Sequence, residues 1–296
     1  MSAAAAIVKP GGELAASFVR DRVALGALIV LCVIVLAAVF SPVISPQNPY
    51  NLAELDIMDS KIPPGSKSPD GKTYLLGTDE QGRDMLSAIL YGLRISLGVG
   101  VISTVLALTL GMAIGLVAGY AGGWLDAVIM RIVDLQLSFP SILVALVLLA
   151  VLGQGVDKIV IALVIVQWAY YARTVRGNAL VEKRKEYVDA AVCLGLAPWR
   201  IVYRHVLPNC LPPLIVVATV QVAHAIALEA TLSFLGLGMP ITSPSLGLLI
   251  ANGYSHLLSG KYWMSFFPGL ALLVTIVAIN LVGDHLRDAL NPRLQT

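Results

Sequence analysis

An ionisable side chain inside a long apolar run is the first place where this sequence could do chemistry. Glu229 sits in such a run, with His224 and Gln221 upstream on the same segment. At membrane depth a carboxyl is costly unless water or a partner group receives it. It either lines a water-filled path, where it would meet a charged or zwitterionic solute, or it pairs inside the protein. Asn280 and Gln167 are weaker cases of the same kind. Arg131 and Asp134 stand three apart in another apolar run, a spacing at which they are expected to pair with each other. Gly71-Lys72-Thr73 looks like the tail of a phosphate-cradling loop, but Ser66 stands where the leading glycine belongs, no strand precedes it and proline crowds it. ATP hydrolysis by this chain is therefore not expected. Cys32, Cys193 and Cys210 form no Cys-x-x-Cys pair or Cys/His cluster, and no His/Asp/Glu set has metal-ligand spacing. No catalytic residue, metal or cofactor is expected in the chain itself.

The elements that must position these residues are membrane helices. The 296 residues are 57% hydrophobic and 13% charged, against about 25% charged in an ordinary soluble domain. A crossing needs roughly 20 mostly apolar residues, and six such runs can be drawn: Val23–Ile44, Ile95–Ala118, Ala127–Leu152, Ile159–Ala172, Leu214–Leu237 and Pro268–Leu286. The first run is longer than the apolar stretch of a signal peptide and reads as a retained span. Gly98, Gly100, Gly111 and Gly115 would let the second span approach its neighbours closely. Pro140 predicts a kink in the third. The fold class is all-α integral membrane, and the net charge of +2 gives no footprint for nucleic acid.

Polar connections divide the chain into a tail over 1–22, a first helix over 23–44, a long loop over 45–93, a core of five helices over 94–286 and a tail over 287–296. The loop is rich in proline, glycine and acid, and suits a contact surface for a delivering protein, a lid, or a scaffold against a partner. A further connection, Gly238–Phe267, is expected to hold a short helix at the membrane surface. With both termini inside, thirteen of the twenty Lys and Arg face the cytoplasm and seven face out, the bias that sets topology. That orientation puts the basic segment 173–213 in the cytoplasm and the loop 45–93 outside.

The basic segment is too polar for lipid. Glu182–Leu194 holds mostly good helix formers, with Val188, Ala191, Val192 and Gly195 on one face of small and apolar side chains. Gly195 would end that helix in a left-handed turn, and Ala197-Pro198 would start another. Leu207-Pro208 and Pro212-Pro213 are expected to close the loop. Such a corner suits a shallow groove on a cytoplasmic partner.

Asp189-Ala190-Ala191, three residues, Gly195, and then Leu207-Pro208 resembles the signature loop of ABC importer permeases, with Asp189 in place of Glu and His205 in place of Ile. Leu76-Gly77-Thr78-Asp79 with Gly82-Arg83-Asp84, Ser233-Phe234-Leu235-Gly236-Leu237-Gly238, and Gly283-Asp284-His285-Leu286-Arg287-Asp288-Ala289-Leu290-Asn291-Pro292 resemble further segments of the C-type permeases of the dipeptide/oligopeptide/nickel importers. The resemblance implies a type I ABC importer permease in the bacterial cytoplasmic (inner) membrane. It would form half of a heterodimeric pore with a homologous B-type permease, above two ATPase subunits that use ATP and Mg, and fed by an extracytoplasmic substrate-binding protein. It assigns Asp189, Ala190, Ala191, Gly195, Leu196, Arg200, Leu207 and Pro208 to ATPase coupling, and leaves Glu229, His224, Gln221 and Asn280 as candidate pore-lining residues. The cargo it implies is dipeptides or oligopeptides, with glutathione or nickel as alternatives. An ion-coupled secondary transporter is the reading from another class, but the inverted repeats of that class are not evident.

Overall fold

The computed structural model describes residues 18–51, 55–69, 71–240 and 242–290. Most of the two tails, including Lys9 and Arg293 of the charge count, lies outside the described residues. So do Glu54 and Asp70 of the acidic loop and Asn291-Pro292 of the last matching segment.

Helix α1 (Arg22–Val39) begins behind Asp21, whose carboxylate accepts from the N–H groups of Val23 and Ala24 at 2.8 and 3.3 Å. The amides of Ala24 and Val23 hold the Asp21 carboxyl below its ordinary range. A break at Phe40 leads into the short α2 (Ser41–Ile44). The core follows with α3 (Met85–Ala121), α4 (Gly123–Ser138), α5 (Ser141–Leu152) and α6 (Val156–Glu182). Next come α7 (Glu186–Cys193), α8 (Pro198–Ile201), a π turn over Val202–Val206, α9 (Leu207–Phe234), α10 (Leu246–Tyr254) and α11 (Trp263–Ala289). Among the described residues five helical stretches are each long and apolar enough to cross a membrane, and α4 with α5, a pair bent by 90°, makes a sixth if taken as one span.

Each of the six expected runs falls on one of these stretches or on the bent pair, but the ends shift: the first stops at Val39 and the fifth at Phe234, while others reach further. The second begins at Met85, inside what the sequence reads as loop, and the fourth runs ten residues beyond Ala172 to Glu182. A hydropathy count stops at the first charges, whereas a helix continues past the hydrocarbon wherever tertiary contacts hold it. The kink at Pro140 is a right-angle break rather than a bend. Pro212-Pro213 closes nothing: both lie inside α9, which joins α8 through the π turn into one helical stretch, Pro198–Phe234. At 1.5 Å per residue that stretch is about 55 Å long.

Helices α3 and α6 run parallel and close together. A Cβ at Gly115 would stand 2.5 Å from the Ala172 carbonyl oxygen and one at Gly119 2.8 Å from the Ala179 Cβ. Gly111 faces the same helix and Gly100 faces Ile226 of α9, whereas Gly98 meets open space and does not serve the packing. This small-residue stripe fixes α6, and through α6 the corner beyond its end.

The opposite end of the bundle carries an ordered cap, not a loose loop. Asp59 accepts from the hydroxyls of Ser68 and Tyr74, the latter at 2.7 Å. Burial and that bond push the Tyr74 hydroxyl above its ordinary range. Arg83 and Asp79 form a buried ion pair at 2.6 Å. The Trp263 indole N–H donates to the Thr78 carbonyl at 3.2 Å, fastening the cap to α11. Gly71-Lys72-Thr73 is a tight turn closed by Ser68 and Lys72, with no helix behind it. The short helix expected in the connection Gly238–Phe267 is α10, which packs its buried Leu246 and Leu249 against Met85, Trp263 and Met264.

Candidate coupling site and intramembrane polar residues

Beyond α6 the chain makes a compact corner. Gly195 adopts φ +72°, a left-handed conformation. Around it Gly195 N–H donates to the Val192 carbonyl at 2.9 Å and Leu196 N–H to the Ala191 carbonyl at 3.2 Å, the paired bonds that close a helix C-terminus. Pro198 then opens α8 at its first turn. At the other side of the corner Tyr187 donates to Glu182, and Asn209 donates to Tyr187 at 3.1 Å. Lys185 pairs with Glu182 at 2.6 Å. Lys183 donates to the Tyr120 carbonyl at 2.5 Å. The corner is thereby tied to α3, α6 and α9 together.

Its faces are not distributed as the helical spacing suggests. Val188 and Ala191 are buried and pack with Ile201, Val206, Cys210 and Leu214, the chain's own core. The small-residue face is therefore split: Val188 and Ala191 turn inward, whereas Val192 and Gly195 are exposed. Asp189, Ala190, Gly195, Arg200 and Pro208 are exposed, while Leu196 and Leu207 are half-buried. Sequence reasoning missed the apolar side chains that share this surface. Leu194, Trp199 and Tyr203 are 79%, 68% and 72% exposed. Trp199 stacks under the Arg200 guanidinium at 5.5 Å. Trp199, Arg200, Tyr203, Arg204 and Pro208 line a pocket of about 430 Å³. Large exposed apolar groups ringed by charge mark a docking surface. The signal was present in the sequence as aromatic residues inside a basic segment.

Glu229 is fully buried, accepts from Ser96 of α3 at 2.7 Å and from Ser233 at 2.8 Å, and is also hydrogen-bonded by Ser245, the N-cap of α10. It knots three elements together. His224 and Gln221 lie about one and a half and two turns away on α9, both half-buried. Gln167 of α6 donates to the Gln221 carbonyl at 3.3 Å. Gln221 also lines a cavity of about 750 Å³ between α6, α9 and α11, together with Tyr170, Glu182, Asp284 and Arg287. Asn280 is half-buried on α11 and joins neither group. The expected Arg131–Asp134 pair is replaced by one across helices: Asp134 of α4 pairs with Arg173 of α6, and Asp126 with Arg176 at 2.5 Å. An antiparallel neighbour offers a shorter reach than the same helix does.

Residues 111–296 match the family described as binding-protein-dependent transport system inner membrane component, and residues 10–64 match the N-terminal TM domain of oligopeptide transport permease C. The di/tripeptide transport system permease protein DppC of Pseudomonas aeruginosa is 39% identical over 97% of this chain and 93% of that protein. The glutathione transport system permease protein GsiD of Pectobacterium atrosepticum is 36% identical over 97% and 92%. The fold is that of a chain in an inward-facing MetNI methionine ABC transporter, with TM-score 0.58 at 20% identity, covering 70% of this chain and 98% of that one. The exposed corner, the bundle that holds it and these matches agree: the chain belongs to the inner membrane components of binding-protein-dependent transport systems, the multi-pass permeases of ABC importers, on the C-type branch.

Proposed function

We propose that this chain forms half of a heterodimeric pore with a B-type permease and carries dipeptides or oligopeptides into a bacterial cytoplasm. Two ATPase subunits would sit under the pair, and a substrate-binding protein would dock on the cap of residues 45–84. The thirteen-to-seven bias in Lys and Arg supports both termini inside, with the corner Lys183–Ala197 in the cytoplasm. The observation that carries the reading is the union of that corner with α9. An ATPase gripping Asp189, Ala190, Leu194 and Arg200 would hold one end of a helical stretch whose other end carries Glu229, bonded to α3 and α10. Movement of the ATPases as rigid bodies would then reach both sides of the membrane, the requirement of alternating access. The likeness to a glutathione permease supports that tripeptide as a second cargo.

Reconstitution tests this. The four membrane-associated subunits and the binding protein are placed in liposomes, and uptake of a labelled dipeptide is followed with ATP inside. Uptake that needs ATP and the binding protein and that vanadate stops supports the reading. Uptake by this chain alone, driven by an ion gradient, overturns it.

A further inference from the structure

Arg200 and Arg204 stand one turn apart on the helical stretch that leaves the corner, and both are exposed. Trp199 and Tyr203 run beside them at the same spacing. These two rows, with Pro208 at their end, line the pocket of about 430 Å³. The turn that carries Tyr203 and Arg204 is π-helical: the Leu207 N–H donates to the Val202 carbonyl, five residues back. Single turns of that kind are rare and collect at functional sites. The Arg200 guanidinium lies over the Trp199 ring, but neither arginine makes an ion pair or a hydrogen bond among the described residues. Nearby cations are treated differently. Arg173 pairs with Asp134, Arg176 with Asp126 and Lys185 with Glu182, while Lys183 donates to the Tyr120 carbonyl. Two like charges one turn apart repel each other, so a negative group entering this pocket from outside lowers the energy of the corner.

We propose that the pocket receives a carboxylate side chain of the ATPase subunit, held by the Arg200 and Arg204 guanidiniums with its aliphatic stem against Trp199 and Tyr203. The proposal rests on the ATPase reading above. The composition fits a protein partner, because Trp, Tyr and Arg are the residues that dominate the energetics of protein interfaces, and the exposed Leu194 adds apolar surface on the same corner. Apolar contact is non-directional; by itself it would hold an ATPase without fixing how it sits. A guanidinium fork fixes both the distance and the angle of a carboxylate. The ion pair thereby supplies the register that a rigid-body pull on α9 needs.

The test uses the permease pair in phosphatidylcholine nanodiscs, with the ATPases added at increasing NaCl. R200Q/R204Q is expected to lower ATPase affinity about tenfold at low salt, the worth of one charge-assisted hydrogen bond, and to flatten the salt dependence of that affinity. Trp199→Ala is expected to lower the affinity and keep the salt dependence, which separates a charge contact from general damage to the surface. Unchanged affinity and salt dependence in R200Q/R204Q would overturn the proposal. So would an effect that appears only when phosphatidylglycerol is added, which would assign the pocket to a lipid phosphate. A second measurement locates the acid. Arg204→Lys puts a primary amine in the pocket, and a zero-length carbodiimide is expected to join it by an amide bond to an Asp or Glu of the ATPase, read by mass spectrometry of the assembled importer. No such link at position 204 in an importer that still assembles would overturn the proposal. If the unaltered permease pair binds no ATPase, the ATPase reading fails; if it does and R200Q/R204Q binds equally well, only this inference fails.

Discussion

Across Gly195 the Leu196 N–H donates to the Ala191 carbonyl at 3.2 Å, and this bond turns the small side chain of Ala191 into the core while leaving Leu194 outside. The proposed docking surface therefore includes exposed residues around the signature positions as well as those positions. Trp199→Ala and Leu194→Asp are expected to weaken ATPase binding, the former by about 2 kcal/mol, or roughly thirtyfold. Because both side chains are exposed, thermal unfolding of the permease alone should stay unchanged. Co-purification of the ATPases checks the first statement; a fall in unfolding temperature would contradict the second.

The cap depends on its buried ion pair. Asp79→Asn replaces the carboxylate beside the buried Arg83 with a neutral amide, and breaking such a buried pair costs about 3–5 kcal/mol. Segment 55–84 should then open to protease at concentrations that spare the native chain. Equal resistance would show that the cap holds through Asp59 and Trp263 alone.

Glu229 is expected to tolerate Gln, which can still meet the Ser96 and Ser233 hydroxyls, and not Ala. Removing the carboxyl strands buried hydroxyls at roughly 1–3 kcal/mol each. The unfolding temperature in detergent should be near normal for Glu229→Gln and clearly lower for Glu229→Ala. Equal effects of the two would mean that the charge, not the hydrogen bonding, holds the knot.

Burial, and the hydrogen bond donated to Glu182, push the Tyr187 hydroxyl from 10.0 up to about 12. A phenol that holds its proton more tightly when folded contributes its full stability below pH 10.0 and loses it as pH passes about 12. Protection of the α7 amides relative to the base-catalysed rate should therefore be constant through neutral pH and fall only in that alkaline window. Tyr187→Phe should remove the step; a step at neutral pH would contradict the assignment.

The spans were legible because membrane helices announce themselves through apolar length, and Gly111 and Gly115 because close packing demands small residues. The corner was legible as far as Gly195 and Pro198, where backbone rules act locally. What was not legible depends on which way a face turns. Val188 and Ala191 make the same stripe whether they dock a partner or a core, and only the position of Ile201 and Val206 decides. Glu229 and Asp134 are equally polar in a one-dimensional reading, yet three hydroxyls bury the first while the second pairs at an open rim. Helix ends were missed where charged residues such as Arg173 and Arg176 continue a helix by pairing across to α4.

The central claim, that the corner is gripped by an ATPase, meets its most direct test at Gly195. A Cβ added there touches nothing in this chain, so steric harm from a large side chain must come from outside it. Any residue but glycine also pays for φ +72°, about 1–2 kcal/mol, and Gly195→Ala measures that cost alone. ATP-driven dipeptide uptake by the reconstituted importer should survive largely in Gly195→Ala and be lost in Gly195→Arg with the subunits still folded. Equal uptake by the two variants would contradict the account.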